Sequence, residues 1–153
     1  MSQNIPQKEF QVFDASAYRV GIVVANFNPE ITDALLESAL SMCEKYSVLK
    51  ENIHICRVAG AVEIPVVLKA LADKKYDCLV GLGAIVRGDT PHFDYVAKVV
   101  SEGVIRVMMD YGTPVGFGVL TLENQSQAQS RLHTGGGAVE ASLQSLKQIK
   151  SIL

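Results

Sequence analysis

The chain has 153 residues, enough for one domain around one hydrophobic core and too few for two that each bury much without staples. Hydrophobic residues make up 48% and charged residues 20%, which excludes disorder over most of the chain and fits a surface partly covered by further copies. The formal net charge is -2 with no run of Lys or Arg, so no phosphate-reading patch stands out and nucleic acid is not an expected partner.

The first residues, Met1 to Gln11, are polar and include Pro6, Lys8 and Glu9, with no apolar signal core. No stretch approaches the roughly 20 apolar residues that span a bilayer. No membrane partner is expected, and the expected location is cytoplasmic. Phe10 and Val12 alternate as an edge strand would, pairing with the chain's own sheet or with a neighbour's. Tyr18 to Ala25 is short, β-branched and almost continuously apolar, the pattern of a strand buried on both faces. Asn28 can cap the next helix and Pro29 fits its first turn. Ile31, Leu35, Ala39, Met42 and Tyr46 then recur at helical spacing over Glu30 to Tyr46. Ile53 to Val58 reads as a second strand, ended by the small residues Ala59, Gly60 and Ala61. Ile64 to Lys74 is a helix with Pro65 in its first turn, and Lys74 and Lys75 are its solvated end.

Leu79 to Val86 is a third apolar strand, weakened somewhat by Gly81 and Gly83. A loop from Arg87 to Pro91 leads into a long helix, His92 to Met109. Val115 to Leu120 is a fourth strand. Glu123 to Arg131 is polar and reads as one short helix, and Thr134 to Gly137 as a flexible joint. Val139, Leu143, Leu146 and Ile149 mark one face of a last helix. Strands alternate with helices four times, so crossover handedness implies a mostly parallel sheet with helices on both faces. Cys43, Cys56 and Cys78 have no metal-ligand spacing and each sits in an apolar pattern, so buried free thiols are expected.

Ligands of open α/β sheets bind beyond the C-terminal ends of the strands. Phe27 lies there between two asparagines, as a hydrophobic staple or a stacking platform. Glu63 starts a helix, either as an acid favoured by the helix dipole or as an acceptor for ligand hydroxyls. The segment Arg87-Gly88-Asp89-Thr90-Pro91-His92 leaves a buried strand and enters a helix, whose backbone N–H groups can hold phosphate. Asp89 has the wrong charge for phosphate, so its side chain should point elsewhere or cap the helix. A helix start disfavours imidazolium, which suits His92 to work as a neutral base or proton shuttle; a surface histidine is the plainer alternative. Arg131 is a lone arginine by position and a phosphate clamp by chemistry. His54, His92 and His133 do not make a zinc spacing. Gly135-Gly136-Gly137 follows a helix, so it is not a nucleotide fingerprint. These patterns describe a small α/β domain that binds a phosphorylated small molecule. They leave open a flavodoxin-like electron-transfer module, and a response-regulator domain less so, because Asn26-Phe27-Asn28 stands where that domain needs clustered acids.

Four segments add a resemblance: GIVVANFN at Gly21 to Asn28, GAVEIP at Gly60 to Pro65, GAIVRGDTPHFDYV at Gly83 to Val96, and GTPVGFGVLTLEN at Gly112 to Asn124. In that order they resemble the lumazine synthase family, from about Arg19 to the final helix. The resemblance implies a flavodoxin-like three-layer sandwich with a four-stranded parallel sheet at 18–153, and an N-terminal arm at 1–17 that adds a strand to a neighbouring subunit. It implies condensation of a ribitylamino-pyrimidinedione with 3,4-dihydroxy-2-butanone 4-phosphate, with no cofactor and no metal. By motif, Phe27 would stack on the heterocycle. Ala61, Val62 and Glu63 would bind the pyrimidine substrate, with Phe117 presenting backbone to the ring. Gly88, Asp89, Thr90 and Arg131 would bind the phosphate substrate, and His92 would move protons. The resemblance also implies a homo-oligomer built on pentamers, with sites between subunits. Two positions depart from the family pattern. Ala59 replaces a usual proline, and Arg131 to Glu140 is short and lacks lysine. The second departure leaves an alternative: an oligomer that binds flavin or ribityl compounds with weak or no synthase activity.

Overall fold

The computed structural model describes residues 8–153. Four strands, β1 (Val20–Ala25), β2 (Ile53–Val58), β3 (Cys78–Val86) and β4 (Val115–Leu122), form one sheet in the order β2-β1-β3-β4. Every neighbouring pair is parallel. Helices α1 (Pro29–Lys45) and α4 (Thr134–Ile152) cover one face of the sheet; α2 (Ile64–Asp73) and α3 (His92–Tyr111) cover the other. The chain is a flavodoxin-like three-layer α/β sandwich.

The central strands are buried on both faces, which is why their sequences are nearly continuous apolar runs. All six residues of β1 and eight of nine in β3 are buried. Alternation sorts them: Ile22 and Val24 join the α1/α4 core, while Val23 and Ala25 join the α2/α3 core. Leu35, Leu82, Leu122 and Leu143 on the first face, and Leu68 and Leu79 on the second, have no exposed surface. Each such burial contributes about 1.5–3 kcal/mol. The edge strands differ. β2 leaves His54, Ile55 and Arg57 exposed, and β4 leaves Phe117 and Thr121 exposed.

The triple glycine is not a flexible joint. Gly135 and Gly136 are buried in the first turn of α4. A Cβ on Gly135 would stand 2.0 Å from the Leu35 carbonyl oxygen, inside the backbone of α1. A Cβ on Gly116 in β4 would stand 2.0 Å from the carbonyl oxygen of Ala138. The absence of side chains lets α4 press against α1 and β4 at once. Glu123 to Arg131 is likewise not one helix but two short 3₁₀ turns, Gln125–Gln127 and Gln129–Arg131.

Phe10 and Val12 do not pair with the chain's own sheet, one of the two expected pairings, and both side chains are exposed. The first seven residues of the arm lie outside the described residues. A buried polar cluster ties the described part of the arm to α1 and α4. Tyr46 ends α1 fully buried, with the Phe13 ring packed edge-on at 5.2 Å. Its hydroxyl donates to Glu140 at 2.5 Å and accepts from the Gln144 amide at 3.0 Å. The same amide nitrogen donates to the Gln11 carbonyl at 2.9 Å. Burial, reinforced by the Glu140 carboxylate, pushes the Tyr46 phenol up to about 12. Cys43 and Cys78 are buried free thiols, pushed up by burial to about 11 and about 12; Cys56 is half-buried. No described helix is long and apolar enough to cross a membrane.

Gly135→Ala should lower unfolding free energy in urea by about 1–3 kcal/mol, because its methyl group meets backbone that cannot rotate away. Gly137→Ala is the internal control. Nothing lies within 4 Å of a Cβ there, and alanine should raise helix stability by up to about 1 kcal/mol.

Candidate active site

The strand order makes the chain leave β1 towards α1 on one face and leave β3 towards α3 on the other. A crevice therefore opens beyond the C-terminal ends of β1 and β3, where such sheets take ligands. A cavity of about 370 Å³ occupies it. Its walls come from the ends of three strands: Phe27 and Asn28 after β1, Gly60 to Glu63 after β2, and Ala84 to Val86 at the end of β3. Gly88, Thr90 and His92 close it from the loop before α3.

The first wall is held by main-chain bonds that prolong the β1–β2 pairing. Asn26 N–H donates to the Val58 carbonyl at 2.8 Å, and Phe27 N–H to that of Ala59 at 3.1 Å. Phe27 itself is 71% exposed. A hydrophobic staple would bury the ring, whereas this ring stands open at the cavity mouth. Asn28 does not cap α1 with its side chain. It adopts a left-handed backbone (φ 61°), and its amide nitrogen crosses the crevice to the Ala84 carbonyl at 3.1 Å. That bond clips the end of β1 to the end of β3.

The second wall is a small-residue turn. Ala61 is buried, Val62 is exposed, and the Glu63 carboxylate lies beside Gly60, where a Cβ would come to 3.4 Å of it. Glu63 is exposed at the cavity, so it can accept hydrogen bonds from a ligand's hydroxyls without disturbing the core.

The third wall carries the polar chemistry. His92 is the first residue of α3 and its backbone N–H points to the Thr90 hydroxyl at 3.4 Å. Phe93 and Val96 of the same helix add apolar surface. The helix start leaves backbone donors free for an anion. Asp89 is exposed and does not line the cavity. Among the described residues, no group of three His, Cys, Asp or Glu is placed to hold a metal ion.

The fold thus brings Phe27, Ala61, Val62, Glu63, Gly88, Thr90 and His92 to one cavity. It does not bring Phe117 or Arg131 there. Phe117 stands on edge strand β4 and lines a second cavity, of about 680 Å³, with Phe10, His133 and Thr134. The Arg131 guanidinium turns back to its own 3₁₀ turns, donating to the Gln127 carbonyl at 2.7 Å and the Ser130 hydroxyl at 3.1 Å. Sequence reasoning missed Asn28 as a wall, together with Ala84, Ile85 and Phe93. The position of Ala84 and Ile85 at the end of a central strand was the available signal.

Asn28→Ala should destabilise the fold by about 1–3 kcal/mol in urea, because it loses the bond to Ala84 and strains a left-handed backbone. Asn28→Gly should cost about 1 kcal/mol, because only the bond is lost. Phe27→Ala should stay within about 0.5 kcal/mol of the parent, as expected for an exposed ring.

The model of the family described as 6,7-dimethyl-8-ribityllumazine synthase matches residues 17–150. That span contains all four strands, the three cavity-lining loops and Arg131. The chain belongs to the 6,7-dimethyl-8-ribityllumazine synthase family.

Proposed function

We propose that the chain condenses 5-amino-6-(D-ribitylamino)uracil with 3,4-dihydroxy-2-butanone 4-phosphate to give 6,7-dimethyl-8-ribityllumazine, inorganic phosphate and water. The observation that carries this reading is the single crevice that joins an exposed aromatic platform, a free carboxylate and a histidine at a helix start. Phe27 stacks on the pyrimidine, Ala61 and Val62 frame it, and Glu63 accepts hydrogen bonds from ribityl hydroxyls. Gly88, Thr90 and the N–H groups at the start of α3 receive the phosphorylated ketone. Asp89 stands on the same loop, exposed and outside the cavity lining.

The pyrimidine amine attacks the ketone carbon, and water leaves as the imine forms. Removal of the proton from the hydroxyl-bearing carbon beside the imine expels phosphate from the next carbon and gives an enol, which takes a proton at its terminal carbon, releases its hydroxyl proton and becomes a ketone. The ribityl-bearing nitrogen attacks that carbonyl and closes the ring, with loss of a further water. His92 carries protons in these steps. Much of the rate comes from holding two substrates in contact, which needs few catalytic groups.

The site takes its remaining residues from a second copy. Phe117 backs the ring from the neighbour's β4, and the neighbour's Arg131 grips the phosphate once it exchanges its own-turn contacts for a charged ligand. The exposed apolar residues Tyr95, Val99, Ile105 and Met109 of α3 support burial against further copies, in an assembly built on pentamers. The N-terminal arm adds a strand to the neighbour's sheet. A second reading draws on the lysine-free Arg131 to Glu140 segment: an oligomer that binds flavin or ribityl compounds without turnover.

Mixing the protein with both substrates separates these readings. Lumazine fluorescence should rise above the uncatalysed rate, and Arg131→Ala should raise KM for the phosphorylated ketone about 10- to 100-fold. His92→Ala should lower kcat with little change in KM. Quenching of flavin fluorescence by a folded oligomer that forms no product overturns the synthase reading.

A further inference from the structure

The loop that carries Gly88, Thr90 and His92 is exposed, and a Cβ at Gly88 would meet nothing within 4 Å. Residues 88–92 thus pack little within the chain, and the first turn of α3 that follows rests on the core only through the partly buried Phe93 and Val96. One side chain at the base of the loop makes three further contacts. Arg87 leaves β3 with its N–H bonded to the Leu122 carbonyl at 2.8 Å. Its guanidinium Nε donates to the Glu123 carboxylate at 2.7 Å. The same group lies over the Phe93 ring, 4.3 Å from ring centre to guanidinium carbon, and one terminal nitrogen is 3.6 Å from the Asp94 carboxylate. Phe93 and Asp94 are the two residues after His92. Glu123 is itself held, since its N–H donates to the Gln127 side chain at 2.7 Å.

We propose that Arg87 is a positioning residue for the reaction: it joins the end of β4 to the first turn of α3 and so sets where His92 and Phe93 face the cavity. This rests on the reading of His92 as the proton carrier. The chemistry favours arginine. A planar guanidinium can stack on a ring while its edge and end serve two carboxylates; a lysine ammonium can satisfy one carboxylate but cannot do all three. The contacts are solvent-exposed, with side-chain exposures of 37% for Arg87, 63% for Asp94 and 60% for Glu123, so their effect falls on geometry more than on global stability. A small rotation of the first helical turn is enough to misplace the imidazole, and misplacement of about 1 Å costs on the order of a hundredfold in rate.

The test compares Arg87→Gln, Arg87→Lys and Glu123→Gln with the parent oligomer. Both glutamine variants should lower kcat about ten- to a hundredfold while KM for each substrate stays within about threefold. Arg87→Lys should recover part of that loss. Hydrogen exchange at residues 88–94 should quicken in Arg87→Gln while exchange in β1 and β3 stays slow. The exchange arm does not depend on turnover, so it tests the clamp even if the parent forms no lumazine, a result that overturns the synthase reading alone. Unchanged kcat and unchanged exchange in both glutamine variants overturn the proposal. So does a kcat loss that only parallels global unfolding, or full recovery by lysine.

Discussion

The order β2-β1-β3-β4 sends the chain in opposite directions from the ends of β1 and β3, and the rest of the site depends on this. Right-handed crossovers put α1 on one face and α2 and α3 on the other, so the loops after β1 and β3 diverge. The space between them has no backbone to fill it. Side chains line it instead, and the clip from Asn28 to Ala84 keeps its two sides at a fixed distance. A ring, a carboxylate and an imidazole then meet in one crevice from loops far apart in sequence.

The same topology leaves β4 at an edge. Gly116 and Gly135 bring α4 so close to β4 and α1 that this edge is backed tightly on one face, yet Phe117 remains exposed. One chain therefore presents a crevice beyond β1 and β3 and, elsewhere, an edge with Phe117, while Arg131 stands in the last 3₁₀ turn before α4. These are complementary halves in the proposed synthase, supplied by two copies. Arg87 is the side chain that connects the halves within one chain, since it reaches from the His92 loop to Glu123 at the start of the segment leading to Arg131.

Local pattern made most of the fold legible. β2 begins and ends at its expected residues, stopped by the small residues after it, and α2 ends within a residue of its expected limit. Buried strands and amphipathic helices announce themselves because burial acts on each residue separately. The features that stayed hidden depended on distant partners. The glycines of α4 look like a joint until the Leu35 carbonyl is seen beside them. Asn28 has the chemistry of a cap and is used instead for a bond across the crevice. The segment Glu123 to Arg131 is polar enough for a helix but breaks into two turns. In the site, the motifs marked Phe27, Glu63 and His92, whereas the Arg87 contacts to Phe93, Asp94 and Glu123 needed coordinates.

The claim that two copies complete each site is tested most directly by mixed assembly. One variant carries Phe27→Ala and Glu63→Ala on the crevice; the other carries Arg131→Ala. Each alone should form lumazine slowly. After dissociation and joint reassembly at equal amounts, random pairing in a ring should unite an intact crevice with an intact arginine at about a quarter of the junctions, and activity should return to about that share of the parent level. Activity no higher than the mean of the two separate variants would contradict the account.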